Sequence, residues 1–325
     1  PVRLTTPMPQ SQPLSRLRLI GRLSVAFLLD LVQVGRLDRE FLDGVLLLTI
    51  VQANIAPLTR DADLQLAYAD YDAPPPDELR RRVSVSAIAQ SLRLPYETAR
   101  RHIARLAADG QCEVTPQGVY VPAATLHSPR HREAVIGTYE LLRGFYFRLR
   151  SLGGLADLPA PDPARALDPA STAPVRAVVR ISSDYVLRMV DLLAIHVGDL
   201  VRGLILLAIL RANTAHFPDQ TRGGDDGGPA SFVPDELRRP VRVAELSARL
   251  GVPEETVRRH AARLVQDRLC VRGPEGLVLP AHVLARPQFV QLMADNHANV
   301  ARMFTALARL GVVAEWERQR AAQGG

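Results

Sequence analysis

The chain spells the same stretch twice. Residues 77–122 read DELRRRVSVSAIAQSLRLPYETARRHIARLAADGQCEVTPQGVYVP, and residues 235–280 read DELRRPVRVAELSARLGVPEETVRRHAARLVQDRLCVRGPEGLVLP. They align without a gap at a displacement of 158 residues, from Asp77 to Asp235, with about half of the positions identical. The register continues outward: Leu126 and Pro129 match Leu284 and Pro287, each copy closes on a helical segment ending at Gly153 or Gly311, and GVLLLTIVQAN (44–54) resembles GLILLAILRAN (203–213). A unit repeated at this period is one supersecondary assembly used twice, and 325 residues with 47% hydrophobic content suffice for two cores. The expected division is a flexible N-terminus (1–16), a first repeat (17–153), a linker or crossing segment rich in proline, glycine and alanine (154–174), a second repeat (175–315) and a flexible C-terminus (316–325).

Within each copy the order of signals is specific. Val241 and Val243 flank Arg242, an alternation that fits a short strand. AELSARLG places Leu246 and Leu250 on one helical face and stops at Gly251, the residue best suited to positive φ after a helix. Pro253 and the glutamates Glu254 and Glu255 then open a second helix expected to run to about Gln266, with Val257, Ala261 and Leu264 inside. Copy one puts Ala99, Ile103 and Leu106 in the same places but has Arg93 for Gly251, so its turn either avoids positive φ or costs about 1 kcal/mol. Short apolar runs around residues 115–118 and 273–276 predict a hairpin after each second helix. The fold class expected is mainly α with small β wings: two winged helix-turn-helix units plus flanking helices.

The segments VRVAELSARLGVPEETVRRHAARLVQDRLCVR (241–272) and VSVSAIAQSLRLPYETARRHIARLAADGQCEV (83–114) resemble the winged helix-turn-helix transcriptional regulators of bacteria, the broad class that includes the MarR, IclR, GntR and ArsR families. The resemblance covers about a third of the chain and does not select one family. It implies that the helices beginning PYETARRH and PEETVRRH enter the major groove of double-stranded DNA while the hairpins touch the neighbouring backbone. This chain departs from those families in carrying both units in one polypeptide.

On that reading, Tyr96, Thr98, Arg100 and Arg101 of copy one and Glu254, Thr256, Arg258 and Arg259 of copy two face bases, because an exposed helix fits the major groove and arginine pairs with guanine through two hydrogen bonds. Arg80, Arg81, Arg82, Arg105, Arg238, Arg239, Arg263 and Arg272 are the phosphate candidates, which set affinity and register rather than sequence. The alternatives are that the helix arginines pair with Glu97, Glu254 or Glu255, and that the threonines cap or bond locally. The two copies can address an inverted or a direct repeat.

Composition permits this without demanding it. The net charge is +6 and the sequence pI about 9.9, favouring an anionic partner. All 40 basic residues are arginine, which a GC-rich genome explains better than function does. Cys112 and Cys270 lack His or Cys companions and read as core residues in a reducing setting, so neither a disulfide framework nor a metal or other cofactor is expected. His102 and His260 coincide in the repeat and read as partly buried. Two aspartates in TRGGDDGG (221–228) lack further ligands for a metal. The chain start carries no export pattern and LVRGLILLAIL (200–210) is too short to span a bilayer, which places the expectation in the cytoplasm, at the nucleoid, with no membrane partner. No paired carboxylates, activated nucleophile or phosphate loop suggests an enzyme. The aromatic run of 138–150 leaves room for a small-molecule effector, although helix packing or a homodimer surface explains it more cheaply. The runner-up to DNA binding is a protein-interaction adaptor, which burial of the arginine-bearing helices between the repeats would favour.

Overall fold

Four helices of 23 residues hold the molecule together: α1 (Leu14–Arg36), α6 (Pro129–Ser151), α7 (Val175–Val197) and α12 (Pro287–Arg309). The computed structural model describes residues 13–36, 39–60, 64, 67–167, 174–219 and 232–323, and the TRGGDDGG loop lies outside them. Each long helix carries a stripe of Leu, Val, Ile and Phe that must be covered, and the coverage crosses the repeats. α1 packs on α6 of its own repeat and on α12 of the other, while α7 packs on α12 and on α6, closing a four-helix ring. Phe27 of α1 stacks on Phe145 of α6 with ring centroids 4.3 Å apart, and Tyr185 of α7 and Phe304 of α12 complete the aromatic centre. The aromatic run of 138–150 is therefore consumed largely by helix packing. One polar triad lies inside: the Tyr185 hydroxyl donates to Asn296 Oδ1 at 2.9 Å, and Asn296 Nδ2 donates to Ser24 Oγ at 3.0 Å.

The remaining elements repeat in the same order on either side of this ring. In the first repeat they are α2 (Phe41–Ile55), α3 (Val85–Ser91), α4 (Tyr96–Ala108), the hairpin β1 (Glu113–Thr115) and β2 (Gly118–Tyr120), and the one-turn α5 (Ala123–Leu126). In the second they are α8 (Leu200–Thr214), α9 (Val243–Leu250), α10 (Glu254–Gln266), β3 (Val271–Gly273), β4 (Gly276–Val278) and α11 (Ala281–Leu284). The fold is thus mainly α-helical with two small two-stranded antiparallel sheets. α8 is a buried helix, and among the described residues no single helix is long and apolar enough to cross a membrane.

Each hairpin is extended by one more backbone bridge, Val83 to Val119 and Val241 to Leu277. A buried asparagine pins that arrangement. Asn54 at the end of α2 donates to the carbonyls of Arg81 (2.6 Å) and Val119 (3.1 Å) and accepts from the Val121 N–H (3.0 Å). Asn213 does the same to Arg239 (2.7 Å), Leu277 (3.1 Å) and Leu279 (2.8 Å). The bridge strand runs so close that Gly118 and Gly276 admit no side chain: a Cβ on Gly276, at φ +144°, would sit 2.5 Å from the Val241 carbonyl oxygen. Gly276→Ala is expected to lower stability by about 2 kcal/mol, measured by urea unfolding, since both the clash and the positive φ act against it.

Both turns between the short helices take positive φ, 62° at Gly251 and 52° at Arg93, so copy one accepts the strain of about 1 kcal/mol that a non-glycine residue brings there.

One expectation at the edges of the repeats needs correction. The C-terminal residues 316–325 do not form a flexible tail over their described part: α13 (Val312–Gln323) begins with Val312 and Val313 buried, and the fully buried Trp316 donates from Nε1 to the Tyr139 hydroxyl at 2.8 Å. Its large apolar ring needs cover, and α6 supplies it through Tyr139 and Tyr146. The segment between the repeats is partly built in as well. Gly154 is buried, and the short 3-10 helix Pro163–Arg165 lies against α13.

Candidate nucleic-acid interface

α4 and α10 each bury one side and show the other. Ala99, His102, Ile103 and Leu106 face inward from α4, as do Val257, His260, Ala261 and Leu264 from α10, and the apolar members are the stripes read from the sequence. On the outer side of α4 Tyr96 is half exposed, Glu97, Arg100, Arg101 and Arg105 are exposed, and Thr98 is half-buried. On α10 the exposed residues are Glu254, Glu255, Arg258, Arg259 and Arg263, with Thr256 half-buried. Neither helix is covered by the opposite repeat on that side.

The two faces differ in how much positive charge they leave unpaired. Arg100 pairs with Glu97 at 2.9 Å, and Arg258 pairs with Glu254 at 2.7 Å and Glu255 at 2.6 Å, so each carries its own counter-charge along the helix. Arg101, Arg259 and Arg263 make no ion pair or side-chain hydrogen bond among the described residues. Arg105 occupies the position of Arg263 but is tied down. Its guanidinium donates to Asp43 at 2.6 Å and to Glu40 at 3.0 and 3.1 Å. The cause is one reversed charge: the third residue of α2 is Asp43, whereas the third residue of α8 is Arg202, which turns instead to Asp267 at 2.8 Å. Arg105 is thereby corrected from a phosphate candidate to a structural ion-pair partner.

His102 shares that cluster, with Nδ1 2.7 Å from Asp43 Oδ1, so a carboxylate does accompany this histidine in space although none does in sequence. Glu40, Asp43 and His102 bring their ligand atoms within 4.8 Å of one another. Arg105 contacts all three and supplies the positive charge there. In α10, burial first and then Arg259, Arg263 and Arg202 work against the proton on His260, while Asp199 favours it. Burial pushes the Cys112 thiol up to about 11 and the Cys270 thiol up to about 12, which leaves both as protonated core groups near neutral pH.

No family model, curated protein or solved structure matches this chain.

The basic runs ahead of the bridge strands split inward and outward. Arg80 and Arg238, expected at phosphates, are only 2% and 5% exposed and are corrected here to interior residues. Arg80 donates to the Pro75 carbonyl at 2.8 Å and Arg238 to the Val233 carbonyl at 2.9 Å, and each lies 3.2 Å from the aspartate three residues earlier. Arg82 is half-buried, donating to the Asp77 and Arg80 carbonyls and lying 4.1 Å from the Tyr120 ring centroid. Arg81 and Arg239 remain exposed, as does Arg272 on β3. Arg242, not singled out from the sequence, is also exposed and precedes α9 without capping it; its counterpart Ser84 does cap α3 through the Ala87 N–H at 3.1 Å.

The inward arginines also govern a histidine. His131 on α6 is held at about 4, by burial first and then by the charges of Arg176 and Arg80. Unfolded, the imidazole takes a proton near pH 6.5, whereas folded it does so only near 4, so the unfolded chain binds the extra proton between these values. Stability attributable to His131 is complete above about pH 6.5 and is lost as pH falls toward 4, by about 3 kcal/mol. His131→Gln is expected to flatten that part of the stability-versus-pH curve, and an unchanged slope would exclude His131 as its source.

Proposed function

We propose that this protein is a sequence-specific, double-stranded-DNA-binding transcriptional regulator, in which α4 and α10 are the recognition helices of two winged helix-turn-helix units. The order of helix, bridge strand, helix, tight turn, helix and hairpin in each repeat supports the winged reading. The observation that carries the function is that both second helices present outer faces clear of protein cover, with Arg101, Arg259 and Arg263 unpaired on them. Burial of these helices between the repeats was the feature that would have favoured an adaptor, and they are exposed instead.

The two units are unequal. Around α10, Arg239, Arg242, Arg259, Arg263 and Arg272 are exposed without ion pairs among the described residues, whereas copy one retains Arg81, Arg93 and Arg101 with the aromatic Tyr96. Copy two therefore supplies most of the phosphate attraction, and the two halves read different bases. The test is fluorescence anisotropy of the full chain with duplexes long enough to offer successive major grooves about 34–36 Å apart. Binding is expected at about 50 mM salt, weakening by several orders of magnitude toward about 200 mM, with genomic sites recovered by mapping bound more tightly than random sequence. No association with any duplex at the lower salt ends this reading.

A further inference from the structure

Behind the first of these units a cavity of about 170 Å³ lies between α2, the start of α6, and α7 of the other repeat. Most of its wall is aliphatic, including Leu47, Leu48, Val51, Val135 and Val186. Of the four arginines in the same wall, three are buried: Arg80, Arg176 and Arg180 are respectively 2%, 6% and 9% exposed, and Arg36 is half-buried. Their internal partners are mostly carbonyls. Arg176 donates to Tyr71 at 2.6 Å and to Leu126 at 3.3 Å, and Arg180 donates to Tyr68 at 2.6 Å. Arg80 Nη1 and Arg180 Nη1 are buried with no hydrogen-bond partner among the described residues. Among those residues the carboxylate paired with this group is the partly exposed Asp77, beside Arg80 alone, though Asp70 and Asp72 also favour the charge on Arg176.

Three cations taken out of water, two of them with orphaned donors, are costly unless an anion meets them. In the pseudo-equivalent cavity, of about 340 Å³, Arg238 takes the place of Arg80, but the second and sixth positions of the long helix are Ser15 and Leu19 where α7 has Arg176 and Arg180. Arginines line that cavity too, but there Arg22 and Arg148 pair with Asp219 and Arg211 pairs with Asp30, whereas neither Arg176 nor Arg180 makes an ion pair among the described residues. We infer that the cavity bounded by Arg80, Arg176 and Arg180 is a binding site for a small organic acid, its carboxylate held by the guanidinium groups and its apolar body by the aliphatic wall. Guanidinium matches a carboxylate through paired N–H groups, and the small volume limits the ligand to about the size of a single ring or a short chain. Because Arg80 belongs to the first repeat and the other two to the second, the acid bridges the repeats.

The test uses the free full-length protein, so its outcome is independent of whether DNA is bound. Calorimetric titration at constant ionic strength compares benzoate with its neutral isostere benzamide and with inorganic phosphate. Benzoate is expected to bind with a Kd about tenfold or more below that of benzamide and to raise Tm. Arg180→Met keeps an unbranched apolar stem but ends short of the guanidinium, removes one unmatched charge, and is expected to fold at least as stably while reducing the benzoate preference to about twofold. Equal affinity for benzoate and benzamide, an unaltered preference in the folded variant, or a response to phosphate without one to benzoate overturns the assignment. If Arg180→Met does not fold, the wild-type comparison of benzoate with benzamide decides alone.

Discussion

Asn213→Ala is expected to lower folding stability by about 3–5 kcal/mol, because it strips partners from three main-chain groups at once, each worth about 1–3 kcal/mol when left buried and unpaired. The amide reaches the carbonyls of Arg239 and Leu277 and the N–H of Leu279, while the Asn213 carbonyl itself accepts from the Arg239 N–H at 3.1 Å. It therefore joins the end of α8 to both the bridge strand and β4. Asn213→Asp is expected to be no milder, since it turns an oxygen toward two carbonyl oxygens. Denaturant unfolding monitored by circular dichroism checks this, and a loss under about 1 kcal/mol would mean that the hairpin is held by apolar packing alone. Asn54 predicts the same behaviour in the first repeat, where its bonds to Arg81, Val119 and Val121 are equivalent.

Replacing Arg259, Arg263 and Arg272 together by alanine is expected to weaken duplex binding by about 10²–10³ near 0.1 M salt and to reduce the slope of log affinity against log salt by about 2, since the two phosphate candidates among them, Arg263 and Arg272, each contribute about 0.9 to it. All three side chains are exposed, so the helix content and Tm should stay near those of the parent. Arg238→Met serves as the contrast. That guanidinium is inside the protein, and its removal should alter stability while leaving the salt slope in place. A triple variant with an unchanged slope would remove α10 and β3 from the interface.

The repeat made much of this architecture legible. Its register placed both short helix pairs, both hairpins and the buried stripes, because helical period and turn residues are local signals. The pair of asparagines was also visible, as QAN and RAN in matching places, although their role depends on strands that arrive 27 and 65 residues later in the first copy. What escaped was set by distant partners. DELRR looks like a uniformly basic run, yet its first arginine turns inward, where an aspartate three residues earlier and a carbonyl five residues earlier receive it. Arg105 and Arg263 are indistinguishable within their helices; only the reversed charge at the start of α2 and α8 separates them. Trp316 gave a hint, as the chain's single tryptophan in a stretch otherwise read as a tail.

The ring of α1, α6, α7 and α12 does within one polypeptide what a dimer interface does between two. Such a union has no dissociation constant: its halves stay together however scarce the protein becomes, and no monomer competes with the assembled form. It is also released from self-complementarity. A substitution in a homodimer strikes both subunits at once, whereas here one half can carry an acid-lined helix end or a cluster of buried cations that the other lacks, and the differences between Asp43 and Arg202 and between Arg176 and Ser15 show that freedom.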